Sequence, residues 1–101
     1  MPIADFGTPN YWLTSVLIDA DAFGTDCESL RQHLESDNIE ARRIWKPMHV
    51  QPLYANNSRA RGGAVAEKIF SQGLNLPSGS SMTDADVDRI CNQFKSGCPS
   101  A

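Results

Sequence analysis

The chain has 101 residues, 41% hydrophobic and 21% charged, with a formal net charge of −3 at pH 7. That length supports one domain hiding about 65% of its unfolded surface, and the acidic balance argues against a nucleic-acid partner, because such binding comes mostly from phosphate neutralisation. No apolar run is long enough for a membrane span, and the start "MPIADFGTPN" lacks the basic and apolar stretches of a signal peptide, so a cytoplasmic setting is expected.

The first element is "NYWLTSVLID", Asn10 to Asp19. Trp12, Thr14, Val16 and Ile18 alternate with Leu13, Ser15 and Leu17, and both sets are apolar or small. This predicts an interior strand covered on two sides. "DADAFG" is expected to be a loop. The first helix opens at "TDCESL", where Thr25 and Glu28 have the spacing of a capping box. Cys27, Leu30 and Leu34 share one face, Arg31, Gln32 and Glu35 turn outward, and Asp37 and Asn38 end the helix.

"IEARRIW" alternates and suits a short second strand. Pro47 then removes a backbone donor and pushes Lys46 out of the helical region. From Pro47 to Gly63 the chain reads as a loop, and a loop this long inside a compact domain is more often functional than decorative. "GGAVAEKIFSQG" restores helical spacing with a stripe of Val65, Ala66, Ile69 and Phe70, and Gly73 is placed to stop it. "LNLP" is a short strand. The last helix starts at "TDAD", with Thr83 and Asp86 three apart, and carries Val87, Ile90, Cys91 and Phe94 on one face. The order β-α-β-loop-α-β-α predicts an α+β two-layer sandwich of about three antiparallel strands and three helices. A single domain spans 1–101, with residues 1–9 as an extension, 47–63 as the long loop and 96–101 as a tail.

The chemistry-bearing side chains are few. Three cysteines without CxxC spacing argue against a disulfide framework or zinc site. Cys91 is expected in the core and Cys98 exposed in the tail. His33 reads as a solvated helix residue. His49 stands alone in the loop, and no metal-binding or nucleophile-elbow pattern is present. The stretch "RRIWKPMHVQPLY" is different: Lys46, His49 and Gln51 alternate with Pro47, Val50 and Pro52. Two fixed φ angles lower the cost of holding polar tips in place. Arg42, Arg43, Arg59 and Arg61 could supply anion contacts. Composition leaves two readings open here: a preorganised binding loop, or a crossover whose Trp45 and Met48 pack on the core.

"ARRIWKPMHVQPLY", followed by "GGAVAEKIFSQGLNLPSGSSMTDADVDRI", resembles the C-terminal segment of the DegT/DnrJ/EryC1/StrS family, the pyridoxal-phosphate-dependent sugar aminotransferases. "NYWLTSVLID" resembles the entry to that segment in the branch acting on nucleotide-linked 4-keto sugars for bacterial polysaccharide biosynthesis. The resemblance runs from about Asn10 to Phe94. It implies the small C-terminal domain of a fold-type-I aminotransferase, which closes the edge of an active site lying between large domains. It further implies that Asn10, Lys46, His49 and Gln51 face cofactor or nucleotide sugar. The family's large domain, with its Schiff-base lysine, has no counterpart here, and none of Lys46, Lys68 and Lys95 matches that lysine. The resemblance therefore implies a chain without catalysis or pyridoxal phosphate of its own. Its expected partners are a second copy or a large-domain chain, and it could recognise a nucleotide sugar.

Overall fold

The computed structural model describes residues 3–56, 59 and 61–99. Residues 1–2 of the extension, 57, 58 and 60 of the loop, and 100–101 of the tail lie outside the described residues. The elements run β1 (Thr14–Leu17), α1 (Ala20–Phe23), α2 (Cys27–Ser36), β2 (Arg42–Arg43), a 3-10 turn (Met48–Val50), α3 (Gly63–Gln72), β3 (Gly73–Leu76) and α4 (Asp84–Ser96). The three strands form one antiparallel sheet in the order β1-β3-β2. Val16 pairs with Leu74, which pairs in turn with Arg43.

Side chains alternate across a strand. Val16, Leu74 and Leu76 turn toward α2 and α4, where Ile18, Cys27, Leu30, Leu34, Ile39 and Ala41 complete the core with Ile90 and Phe94 at its edge. The helical spacing of Cys27, Leu30 and Leu34 is borne out, since all three are buried. This is the α+β architecture expected, a small antiparallel sheet layered with helices.

Several local expectations are corrected. β1 is an edge strand, because only β3 has two neighbours, and it spans four residues rather than ten. Leu17 is 57% exposed, so its face of the sheet is uncovered at β1. "DADAFG" forms a single helical turn: Asp19 accepts from the amides of Asp21 and Ala22, and Gly24 closes it at φ 88°. The cap of α2 is Asp26, which accepts from the Ser29 amide at 2.8 Å, in place of the Thr25–Glu28 box. Glu28 turns instead to Arg31 and Gln32, whose hydrogen bonds hold its carboxyl down to about 2. The second strand contracts to Arg42–Arg43. The box at Thr83 and Asp86 forms as expected.

Cys91 is exposed, since the apolar contact of α4 with the core runs through Ile90 and Phe94 and Cys91 falls on the flank of that face. Cys98 is half-buried and its thiol donates to the Phe23 carbonyl. His33, read as solvated, instead lies 2.9 Å from the Ser96 hydroxyl at the end of α4.

α3 forms where the periodicity places it, yet it has no buried residue, and Val65 and Ile69 of its stripe are exposed. The chain presents 7676 Å² of accessible surface. A folded monomer of its 11.1 kDa should present about 5,700 Å². Its radius of gyration is 15.6 Å, against about 13 Å expected. The excess is about 2,000 Å², and exposed apolar side chains stand on β1, α3 and the N-terminal arm, Leu17, Val65 and Phe6 among them.

Candidate functional site

The loop after β2 is held by short-range hydrogen bonds rather than by a regular element. Pro47 supplies the fixed φ that opens the 3-10 turn, at −55°. Its carbonyl accepts from the Val50 amide, and that of Met48 accepts from the Gln51 amide, each at 3.1 Å. The Gln51 side-chain amide donates back to the Lys46 carbonyl at 3.0 Å, stapling both ends of the turn together. Tyr54 and Ala55 continue the turn by donating to the Gln51 carbonyl.

The structure brings three of the four expected site residues into this one turn. Lys46 is exposed at its start. The ring of His49 is 20% exposed and its Nε2 lies 2.7 Å from Glu67 Oε1 on α3. Gln51 uses its amide to hold the turn. Asn10 lies apart on the entry to β1, where its Oδ1 accepts from the Trp12 amide at 3.1 Å and turns the chain at Tyr11, φ 52°. Trp12 links it to the loop, its ring centroid lying 6.0 Å from that of Trp45. Both indoles are 65% exposed, so the reading in which Trp45 packs on the core is excluded.

Between these indoles and β3 lies a hollow of about 290 Å³ lined by Trp12, Trp45, Glu40, Arg42, Asn75 and Pro77. Asn75 is a buried polar residue at its floor, pinned by a 2.6 Å hydrogen bond from the Ser15 hydroxyl. The Ser78 hydroxyl donates to the Trp12 carbonyl and ties "LPSGS" to the rim. A larger hollow of about 380 Å³ beside Arg31, Glu35 and Asn38 contains none of the four expected site residues.

The arginines divide. Arg42 pairs with Glu40 at 2.5 Å. Arg43 donates to the Phe70 carbonyl at 2.7 Å, approaches Glu28 at 3.7 Å, and lies 4.9 Å over the Phe70 ring. It therefore fastens the C-terminal end of α3 to β2 and is engaged within the chain. Arg59 and Arg61 are exposed. Sequence reasoning missed Glu67 altogether, because a helix acid eighteen positions from a loop histidine follows no local period. It also missed Asn75, whose partner Ser15 lies on another strand. Among the described residues no group of three or more His, Cys, Asp or Glu could hold a metal ion.

Residues 3–95 match the model of the DegT/DnrJ/EryC1/StrS aminotransferase family. A Bacillus subtilis (strain 168) protein described as the pyridoxal phosphate-dependent aminotransferase EpsN is 40% identical over 93 residues, covering 89% of this chain and 23% of that protein. The GDP-perosamine synthase of Vibrio cholerae is 33% identical over 86 residues, again covering 23% of its length. Among solved structures, the aminotransferase TlmJ from Streptoalloteichus hindustanus superposes with a TM-score of 0.78 at 20% identity, over 96% of this chain and 24% of that one. A family aminotransferase from Brucella abortus superposes at 0.70 and 26% identity, over 87% of this chain and 22% of that one. The chain thus spans under a quarter of the length of these relatives.

Proposed function

Because the chain belongs to the DegT/DnrJ/EryC1/StrS aminotransferase family, we propose that it acts as the small C-terminal domain of a nucleotide-sugar aminotransferase-type assembly, without turnover of its own. In this reading Asn10, Lys46, His49 and Gln51 edge a substrate site whose cofactor-binding part belongs to a large domain. The observation that carries it is the surplus of about 2,000 Å² of accessible surface, with exposed apolar side chains on β1 and α3, in a chain spanning 23% of its relatives. That surplus exceeds twice one partner's share of a standard interface, about 800 Å². A covering partner accounts for it, either a large-domain chain or a second copy.

Pyridoxal phosphate chemistry needs a lysine amine held against the cofactor in a shaped site. Lys46, Lys68 and Lys95 are all exposed, on the loop, α3 and α4, and none lines the hollows beside Arg31, Trp12, Met82 or Phe23. By themselves these residues do not fit the cofactor. The loop's contribution is positional: Gln51 holds the turn, which sets Lys46 and His49 at its rim for the charged and hydroxyl groups of a nucleotide-linked sugar.

The test is to incubate the purified chain with pyridoxal phosphate, an amino-acid donor and a nucleotide-linked 4-keto sugar. No amino sugar forms from the chain alone, and activity appears when a family large domain is supplied separately. Amino transfer by the chain alone overturns the reading.

A further inference from the structure

The pair His49–Glu67 is unaccounted for by the fold. It joins the loop turn to α3 across 2.7 Å, and neither residue belongs to the core. At neutral pH the carboxylate of Glu67, 53% exposed, accepts hydrogen bonds and cannot donate one. The short contact therefore requires a proton on His49 Nε2. In the neutral ring the second nitrogen, Nδ1, is then a lone-pair acceptor. Among the described residues Nδ1 has no hydrogen-bond partner, and it is not a sealed orphan either, for Arg43 Nε alone is buried and unsatisfied. Nδ1 thus retains contact with solvent.

We propose that Glu67 is a positioning residue for His49: it holds Nε2–H and leaves Nδ1 as a fixed acceptor for a donor group, a hydroxyl or amino group of a ligand. Phosphate oxygens, which are acceptors, are disfavoured at this point and belong with Lys46. The geometry explains why the ring needs a helix-borne partner. His49 sits in a one-turn 3-10 segment whose own hydrogen bonds fix the backbone but leave the imidazole free to rotate. α3 supplies the second point of attachment, and Arg43 fixes α3 in turn through the Phe70 carbonyl. A carboxylate behind a histidine is a recurrent way to set its tautomer and orientation. The ligand class rests on the reading that this loop edges a substrate site, whereas the Glu67–His49 arrangement stands on the isolated chain.

The experiment is therefore spectroscopic and needs no turnover. In the 15N-labelled chain at mildly alkaline pH, long-range imidazole spectra should show His49 with a protonated Nε2 and an unprotonated Nδ1. The Nε2 proton should be directly visible, because a hydrogen-bonded imidazole proton exchanges slowly. Glu67→Ala should abolish that proton signal while leaving the amide spectrum of α2 and α4 unchanged. Glu67→Gln, which retains an acceptor oxygen, should keep part of it. A wild-type ring protonated on Nδ1, an invisible Nε2 proton, or a signal indifferent to both substitutions each overturns the proposal. Failure of the isolated chain to pair with a large domain would leave these spectra untouched, so the two readings fail separately.

Discussion

Gly73 is where α3 gives way directly to β3, and it offers a sharp test of how the site is held. Its φ of −89° and ψ of 138° are ordinary extended values, so backbone strain does not demand glycine. Space does. A Cβ built there would run into the Ile44 side chain and lie 2.5 Å from the Ile69 carbonyl oxygen. The side chain can swing aside, but the carbonyl belongs to the last turn of α3 and moves only with the helix. Gly73→Ala should therefore cost about 1–3 kcal/mol, the usual range for overpacking. This runs against the gain of about 0.4–1 kcal/mol that alanine brings by restricting the unfolded chain. Urea unfolding reads the net loss as a lower midpoint at unchanged slope. Adding Ile44→Val removes the Cδ1 contact and should restore part of the loss, leaving the shares of the Ile69 carbonyl and of the retained γ carbon at position 44. Because the shift is transmitted along α3, the Nε2 proton of His49 should exchange faster in Gly73→Ala. A neutral or stabilised variant would refute the close approach and, with it, the claim that α3 is rigidly seated.

Two further expectations follow from the core and the charges. Leu30 is fully buried between the sheet and α4, so Leu30→Ala should cost about 2–5 kcal/mol in the same assay; against a total of about 5–15 kcal/mol for a chain of this length, the urea midpoint should fall by a large fraction of its wild-type value. The Glu28 carboxyl, lowered from 4.5 to about 2 chiefly by the Arg31 hydrogen bonds, stabilises the fold fully above pH 4.5 and loses that contribution as pH falls through about 2. Glu28→Gln should flatten the acid limb of the stability profile over that window while leaving its shape above pH 5 unaltered, and an unchanged acid limb would show the pair to be without consequence. The lowered carboxyls of Asp26 and Asp86 titrate with the same sign and account for the slope that remains.

The order and type of the longer elements were legible because each obeys a local period. Leu30 and Leu34 fall on the face of α2 that meets the sheet, and Ile90 and Phe94 on the face of α4 that meets α2. The Thr83–Asp86 box could be read because both partners lie within one turn. Three misreadings have distinct physical causes. The turn at Ala20–Phe23 is too short to show a period, and only its Asp19 cap and Gly24 stop mark it. The α2 cap moved one residue, from Thr25 to Asp26, because the Arg31 guanidinium draws Glu28 away from the backbone it was expected to cap. Cys91 adjoins the apolar stripe of α4, but the contact with α2 is too narrow to reach it.

β1 and α3 failed in a more informative way. Leu13 and Leu17 opposite Val16 describe a strand covered on both faces, and Val65 with Ile69 describes a helix with a covered stripe. Residue choice records the surroundings under which a surface works, including surfaces contributed by another domain or chain. The misreading of β1 as interior is therefore the same observation as the 7676 Å² of accessible surface, reached from the other direction. Exposed patches of this kind ordinarily mark interaction surfaces.

The division of labour within the fold follows from that asymmetry. One face of the sheet closes against α2 and α4 and sustains the structure, with Leu74 at its centre. Outside that core, the chemistry-bearing residues stand on parts that cannot bury enough apolar area to fix themselves: a proline-bounded turn and a helix without a buried residue. Such parts hold one geometry only if polar contacts tie them together, and those contacts are present in series. Gln51 closes the turn on Lys46, His49 joins the turn to Glu67, and Arg43 joins α3 to β2 above Phe70. Each link is worth on the order of 1 kcal/mol or less when it is exposed. The series is consequently stiff enough to present Lys46 and His49, yet soft enough to be adjusted by whatever covers α3. If the loop edges a site, as proposed, an edge built this way would take its final geometry from the surface that covers α3, more than from any single residue of the loop.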